Sequence, residues 1–332
     1  MSVSGGAPRP SEDGLIARYF APLAGPGADG MRDDAATLTP SPGCDLVLTT
    51  DAIVAGVHYF PDDPPTSIAR KALGVNLSDI AAKGAVPRGF LLTLALPDDW
   101  TEAWLAAFTA GLGEAAREAG CPLLGGDTVR SGGPALIGVT VFGEVPEGGI
   151  VRRTTARIGD RLCVSGTLGD GALGLLLRRQ PAWASALDGA MRDHLADRYL
   201  HPCPRLALAP VLRRHASASM DVSDGFAGDL AKMVGDGRGA LVEAQALPLS
   251  PAATAALAAE PSLIAPILTG GDDYEILCTV PPERLDAFLA EAEATGIPMS
   301  AVGTVVAGDG PPAFAMADGT HRVFAAGSFS HF

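Results

Sequence analysis

Residues 76–85 read Asn-Leu-Ser-Asp-Ile-Ala-Ala-Lys-Gly-Ala, an acid and a glycine set at the end of an apolar-periodic run. The run predicts a helix over Thr66–Lys83. Ile68, Ala72, Val75 and Ile80 fall on related faces, and Thr66 or Ser67 serves as its cap. Upstream, Asp45–Asp51 (DLVLTTD) reads as a strand, with Leu46 and Leu48 alternating with Val47 and Thr49. Leu15–Leu23 reads as a short helix before it. Downstream, Phe90–Leu96 is strand-like and stops at Pro97. Thr101–Ala119 is an amphipathic helix built on Trp104, Phe108 and Leu112, with Leu105 beside them. Ala135–Val145 is a strand that runs into the turn Pro146–Gly149.

Beyond that turn the alternation continues. Strands are expected at Arg161–Ser165, ending at Ser223, and at Tyr274–Val280. Helices are expected at Ala172–Arg178, Phe226–Val234 and Glu283–Ala294. Strands and helices that alternate in both halves give an α/β or α+β class. At roughly 150 residues per domain, 332 residues make about two domains. The Pro146–Gly149 turn is the expected boundary, giving an N-terminal domain of 14–148 and a C-terminal domain of 149–332. Residues 1–13, rich in Gly, Pro and Ser without a period, are expected to form a flexible N-terminus.

Composition narrows the function. The 24 Lys and Arg against 38 Asp and Glu leave a net charge of −14. Such a chain is a poor match for nucleic acid or for an anionic membrane surface, since both attract basic faces. No apolar run reaches the length of about 18 residues that a membrane span needs. The five cysteines, Cys44, Cys121, Cys163, Cys203 and Cys278, form no CxxC pair. Neither a zinc site nor a disulfide framework is expected, and the cytoplasm is the expected compartment.

The informative feature is the placing of the acids. Asp33 and Asp34 open DDAAT, Asp51 ends the first strand, and Asp79 lies in the quoted stretch. Asp127 lies in GGDT, Asp221 and Asp224 in DVSDG, and Asp272 and Asp273 in GGDDYE. Six motifs thus set Asp beside Gly, Ser or Thr at the ends of apolar elements, where a scaffold holds side chains firmly. Such carboxylates and hydroxyls are hard oxygen ligands suited to magnesium, which in turn binds nucleotide phosphates. Any one of these motifs alone is more often a turn or a helix cap. The chain has no GxxxxGK[ST] loop and no kinase HRD motif. Gly166–Gly171 (GTLGDG) reads either as an anion-receiving helix start or as a tight turn. His58 taken alone reads as structural, and Arg152-Arg153 as a solvated pair or a phosphate contact.

Together, RDDAA, TTDAIVAGVHYF, ARKALGVNLSDIAAKGA, LLGGDT, DVSDGFAGDL and GGDDYEI resemble the thiamine-monophosphate kinase family. That family lies in the superfamily of aminoimidazole ribonucleotide synthetase and selenophosphate synthetase. The resemblance runs from about Leu15 to the C-terminal Ser-His-Phe. It implies an N-terminal αβ domain that pairs with its copy in a homodimer to form a barrel-like sheet. It also implies a C-terminal α/β domain closing over the active site. The implied reaction is ATP plus thiamine monophosphate giving thiamine diphosphate and ADP, with Mg²⁺. By motif, Asp34, Thr49, Thr50, Asp51, Asp79, Asp127, Asp221 and Asp224 resemble the magnesium ligands. Gly126 and Asp127 (as a turn), Arg153 and Ser223 resemble the ATP contacts, and His58 and Asp272 the contacts to thiamine monophosphate. The chain departs from the family pattern at Arg32, where Gly is usual, and at Tyr59, where Phe is commoner. At Ala326 an aromatic residue would stack on the substrate ring; Phe324 or Phe329 is the expected substitute.

The rivals are weaker. Selenophosphate synthetase would need a reactive Cys near the start, and residues 1–30 contain none. Aminoimidazole ribonucleotide synthetase would not need the GVH at His58. A purely structural cation-binding protein would bind metal without nucleotide.

Overall fold

The computed structural model describes residues 11–316 and 318–324. Two compact units make up the chain. The first takes in the chain up to Ser41, Leu48–Leu73 and Pro87–Phe142. The second takes in Pro42–Val47, Gly74–Val86 and the chain from Gly143 onward.

The first unit opens with α1 (Glu12–Leu15), capped by the Ser11 side chain on Gly14 N. The single helix expected over Leu15–Leu23 is replaced by three pieces: α1, a π-helical Ile16–Phe20 and a 3₁₀ turn at Ala21–Leu23. Pro22 has no N–H to extend the ladder, and Tyr19 and Phe20 both turn inward. Most of a four-stranded sheet follows, built from β1 (Cys44–Val54), β2 (Val86–Leu96), β3 (Leu123–Arg130) and β4 (Leu136–Pro146) in the order β1-β4-β2-β3. Helix α2 (Pro65–Ala82) joins β1 to β2, and α3 (Glu102–Ala119) joins β2 to β3. Thr101 caps α3 by accepting from Trp104 N, and Gly120 ends it at φ 60°. Phe108 and Leu112 are fully buried beneath it, and Trp104 stacks on Phe108 with centroids 5.0 Å apart.

The facing of β1 differs from its hydrophobic pattern. Val47 and Ile53 are buried, whereas Leu46 is 37% and Leu48 59% exposed. Leu46 and Leu48 share the opposite face of β1 from Val47 and Ile53, and that face is open to solvent; β1 is also an edge strand of the sheet.

The second unit holds a seven-stranded sheet. Its strands are β5 (Arg161–Ser165), β6 (Ala218–Val222), β7 (Arg238–Glu243), β8 (Glu275–Val280), β9 (Met299–Ala307), β10 (Ala313–Ala315) and β11 (His321–Arg322), in the order β11-β10-β7-β9-β5-β8-β6. Its pairings are antiparallel except β10 with β7, which places this unit on the α+β side. Both faces are covered, because neighbouring strand residues point to opposite sides. Leu162 and Val164 of β5 and Leu277 of β8 join one core with α4 (Asp170–Leu177), α5 (Gly189–Leu200), α7 (Phe226–Val234), α8 (Pro251–Ala259) and α9 (Ile264–Thr269). Cys163, Ile276 and Cys278 join the other, with α6 (Ala209–His215), α10 (Leu285–Glu293) and the α2 residues Ala81 and Ala82. Among the described residues, no helix is long and apolar enough to cross a membrane.

Candidate functional site

In the first unit, strand geometry sorts the Thr49-Thr50-Asp51 run. Adjacent residues face opposite ways, so Thr49 and Asp51 share one face and Thr50 takes the other. The Thr50 hydroxyl donates to Val139 O at 3.1 Å and meets Thr140 Oγ1 at 2.9 Å, fastening β1 to β4. Asp51 is exposed. Asp34 and Asp127 are also exposed, and both line a cavity of about 170 Å³ together with Gly126 and the apolar Ile16, Phe20 and Met31. Gly126 and Asp127 are not a turn, as the motif suggests, but part of β3. They lie opposite Leu92 and Thr93 in a parallel pairing whose register shifts at Phe90/Leu91. A Cβ on Gly126 would stand 2.0 Å from Leu92 O, so the close approach of the two backbones requires glycine here.

His58 follows β1 in a tight turn. Its N–H donates to Val54 O at 2.9 Å, while its Nδ1 accepts the Val54 N–H at 3.0 Å. A neutral His58 ring therefore carries its hydrogen on Nε2 and can donate there. Asp63 Oδ2 accepts from Phe60 N at 2.9 Å and closes the same segment.

In the second unit, Asp79 and Asp221 act on each other. Asp221 is buried at the end of β6, and burial, followed by the Asp79 charge, pushes its carboxyl up to about 7. The Ser78 hydroxyl and the Lys83 ammonium pull in the other direction. Lys83 donates to Ser219 O at 2.7 Å, and burial pulls its own ammonium down while Asp221 and Asp79 hold it up. Arg153 is exposed on a turn, close enough for its charge to be felt at Lys83. Two carboxylates against one buried ammonium leave an unbalanced set of hard oxygen donors, which fits a divalent cation. No three His, Cys, Asp or Glu side chains among the described residues are gathered closely enough to hold a metal ion on their own.

The DVSDG loop is shaped by a residue outside it. Asp229, fully buried on α7, accepts both Ser223 N and Asp224 N at 3.0 Å. Lys232 then joins Asp229 (2.9 Å) to Asp224 (2.7 Å). The GGDDYE loop lies against it: Asp272 N donates to Ser223 O at 3.0 Å, and Tyr274 N to Val222 O at 2.8 Å. Ser223 and Asp272 thus belong to adjoining backbone segments. Asp272 and Tyr274 both hold positive φ, 71° and 52°.

The Gly166–Gly171 loop does receive an acceptor, and that acceptor is the protein's own carboxyl group. Asp273 accepts from Gly169 N at 2.7 Å and Gly171 N at 3.2 Å. Burial pushes the Asp273 carboxyl well above the usual range, and these two N–H groups draw it back. The α4 N-terminus is therefore already capped. Lys83, Asp229 and Asp273 lie within the motifs, Asp273 among their named acids, but none carried an expected site role. Their sole signal was an acid or a lysine at an element end, inside or just beyond a glycine-rich motif.

Models of the AIR synthase related protein N-terminal and C-terminal domains match residues 32–145 and 157–314. The thiamine-monophosphate kinase of Caulobacter vibrioides is 42% identical over 313 residues, covering 92% of this chain and 87% of that protein. The chain belongs to the thiamine-monophosphate kinase family. The crystal structure of thiamine-monophosphate kinase from Stenotrophomonas maltophilia K279a matches with a TM-score of 0.76 at 37% identity, covering 87% of this chain and 90% of that one. AaThiL complexed with AMPPCP and TMP matches with a TM-score of 0.76 at 29% identity, covering 97% and 94%.

Against this thiamine-monophosphate kinase background, the departures in the sequence acquire physical reasons. Arg32 sits at φ −107°, which any residue adopts, and the positive φ values fall on Asp29, Gly30 and Met31 instead. The Arg32 guanidinium then bonds back to Asp29 O at 3.2 Å. Phe324 packs edge-on against Phe314 with centroids 5.0 Å apart, so its ring is engaged in the core of the second unit. Ala326 and Phe329 lie outside the described residues. Tyr59 is 4% exposed, and its hydroxyl has no hydrogen-bond partner among the described residues. Burial, with Asp63 second, pushes its pKa up to about 12. Tyr59→Phe removes an orphaned buried hydroxyl and is expected to raise stability by about 1 kcal/mol, read by urea denaturation. A loss of stability would show that the hydroxyl is satisfied.

Proposed function

We propose that this chain transfers the terminal phosphoryl group of ATP directly to the phosphate of thiamine monophosphate, releasing thiamine diphosphate and ADP. The observation that carries the reading is the pairing of buried Asp221 with half-buried Asp79, whose repulsion Lys83 only partly offsets. Its family membership and the AMPPCP and TMP held by a relative of the same fold support the same reaction. The proposed magnesium ligands are Asp34, Thr49, Thr50, Asp51, Asp79, Asp127, Asp221 and Asp224. Asp224 would first have to give up Lys232. Magnesium, when bound, neutralises phosphate charge and holds attacking and leaving oxygens in line.

The remaining work falls to the chain's own groups. Gly126, Asp127, Arg153 and Ser223 are the proposed ATP contacts. His58, donating from Nε2, and Asp272 are the proposed contacts to thiamine monophosphate. The acceptor is a phosphate monoester with a second pKa of about 6, already anionic at neutral pH. No side chain has to remove a proton, so no general base is assigned. The test is incubation with ATP, Mg²⁺ and thiamine monophosphate, with thiamine diphosphate as the product sought. Free thiamine, which lacks the acceptor phosphate, should not react. Covalent labelling of the protein by γ-labelled ATP without acceptor would refute direct transfer.

The domains are assigned as 14–148 and 149–332, and the protein as a cytoplasmic homodimer. Support for the homodimer comes from β1, an edge strand whose open face presents the apolar Leu46 and Leu48 to solvent. Leu48→Lys should shift the protein toward the monomer in light scattering. An unchanged dimer would place the interface elsewhere.

A further inference from the structure

Asp273 is 2% exposed and takes no part in the chemistry proposed above. It nonetheless stands at the junction of three segments. Its carboxylate accepts from Gly169 N and Gly171 N, at 2.7 and 3.2 Å, and so binds the Gly166–Gly171 loop to the GGDDYE loop. Its neighbours Asp272 and Tyr274 are both left-handed, an unfavourable conformation for residues with a Cβ that the surroundings must impose. The loop it holds supplies one wall of that imposition. A Cβ on Gly171 would stand 2.2 Å from Asp272 O and 3.0 Å from Asp272 Cβ. The opposite wall is the DVSDG loop. Asp272 N donates to Ser223 O, and a Cβ on Gly271 would stand 2.4 Å from that same oxygen.

We infer that Asp273 is a positioning residue, fixing the left-handed Asp272 toward thiamine monophosphate by drawing the Gly166–Gly171 loop against the Asp272 backbone. The inference rests on Asp272 being a contact to that substrate. It separates the two substrates, because Ser223 has an anchor of its own. Asp229 accepts Ser223 N and Asp224 N, and neither bond involves Asp273. Loss of the Asp273 clamp should therefore reach the acceptor side and spare the nucleotide side.

The experiment compares Asp273→Asn, Gly171→Ala and Asp272→Ala in steady-state kinetics with each substrate varied. Asp273→Asn keeps the shape but turns one acceptor into a donor facing an N–H. Gly171→Ala keeps the carboxylate and pushes on Asp272 from the loop side. Both should raise KM for thiamine monophosphate by about tenfold or more while KM for ATP stays within about twofold, since small displacements of a contact carry large penalties. If Asp273→Asn fails to fold, Gly171→Ala carries the same test. Equal rises in both KM values, or a lowered melting temperature with unchanged KM values, would reduce Asp273 to a structural residue and overturn the inference. If Asp272→Ala raises KM for thiamine monophosphate while the other two variants do not, the positioning role alone is overturned. If Asp272→Ala leaves that KM unchanged, the substrate contact is wrong and the inference falls with it.

Discussion

Asp221→Asn should lower thiamine diphosphate formation by about a hundredfold or more and leave the metal-free protein at least as heat-stable as the parent. The first half follows from removing a proposed cation ligand, whose charge stabilisation is worth several kcal/mol in phosphoryl transfer. The second half follows from burial. The Asp221 carboxyl is pushed from 3.8 to about 7, by burial first and by Asp79 next. Holding it ionised in the fold at pH 7 costs on the order of 4 kcal/mol, and asparagine relieves part of that. The folded pKa lies above the unfolded one, so the cost is absent below about pH 4. It grows as pH rises and is complete above about pH 7. The stability difference between variant and parent should therefore be small at pH 4, open by pH 8 in EDTA, and close when magnesium is added. Thermal melts at the two pH values, with and without metal, provide the check. Near-normal turnover, or a variant that melts lower than the parent at pH 8 in EDTA, would remove Asp221 from the proposed cation set.

Glu275→Ala should destabilise the protein by about 3–5 kcal/mol, the usual consequence of stripping one partner from a buried ion pair. Glu275 is fully buried and serves two guanidinium groups and a hydroxyl. Arg198 donates at 2.9 Å, Arg205 Nε at 2.7 Å and Ser165 Oγ at 2.6 Å. Its removal leaves two largely buried cations without their counter-ion, and the alanine cannot accept from Ser165. Glu275→Gln keeps an acceptor and should lose less. Urea denaturation of parent, Gln and Ala variants gives the ranking. An Ala variant within about 1 kcal/mol of the parent would show that water reaches the cluster and replaces the carboxylate.

Much of this architecture is legible from residue order, and the illegible parts share a cause. α7 and β5 can be read with the bounds they have, because Phe226–Val234 and Arg161–Ser165 carry clean periods between glycine and polar stops. β3 is harder, since Gly125 and Gly126 dilute its strand signal. What holds it is the close backbone approach to Leu92, which belongs to another strand. The facing of β1 misleads for a similar reason. Leu46 and Leu48 look like core residues, yet the core of this chain lies under Val47 and Ile53. The acids of the candidate site announce themselves through their motifs. The residues that hold those acids do not, because, Asp229 apart, they act across sequence. Asp273 meets Gly169 at a separation of 104, and Lys83 meets Ser219 at 136. Separations of that size carry no local period, so the glycine loop reads as open to an outside anion when the chain itself supplies a carboxyl to fill it.

The second unit also draws on chain that precedes its main body. Gly74–Val86, with Asp79, Ala81 and Ala82, folds as part of it, and those two alanines complete one of its cores. A gene cut at the Pro146–Gly149 turn would leave this piece behind. The fragment from residue 149 onward would lack both an acid of its candidate site and a patch of its own interior. Recombination between relatives at that turn would have to carry a matched α2 across the junction. The two halves are therefore expected to evolve as one inherited block, with the end of α2 changing in step with residues more than a hundred positions away.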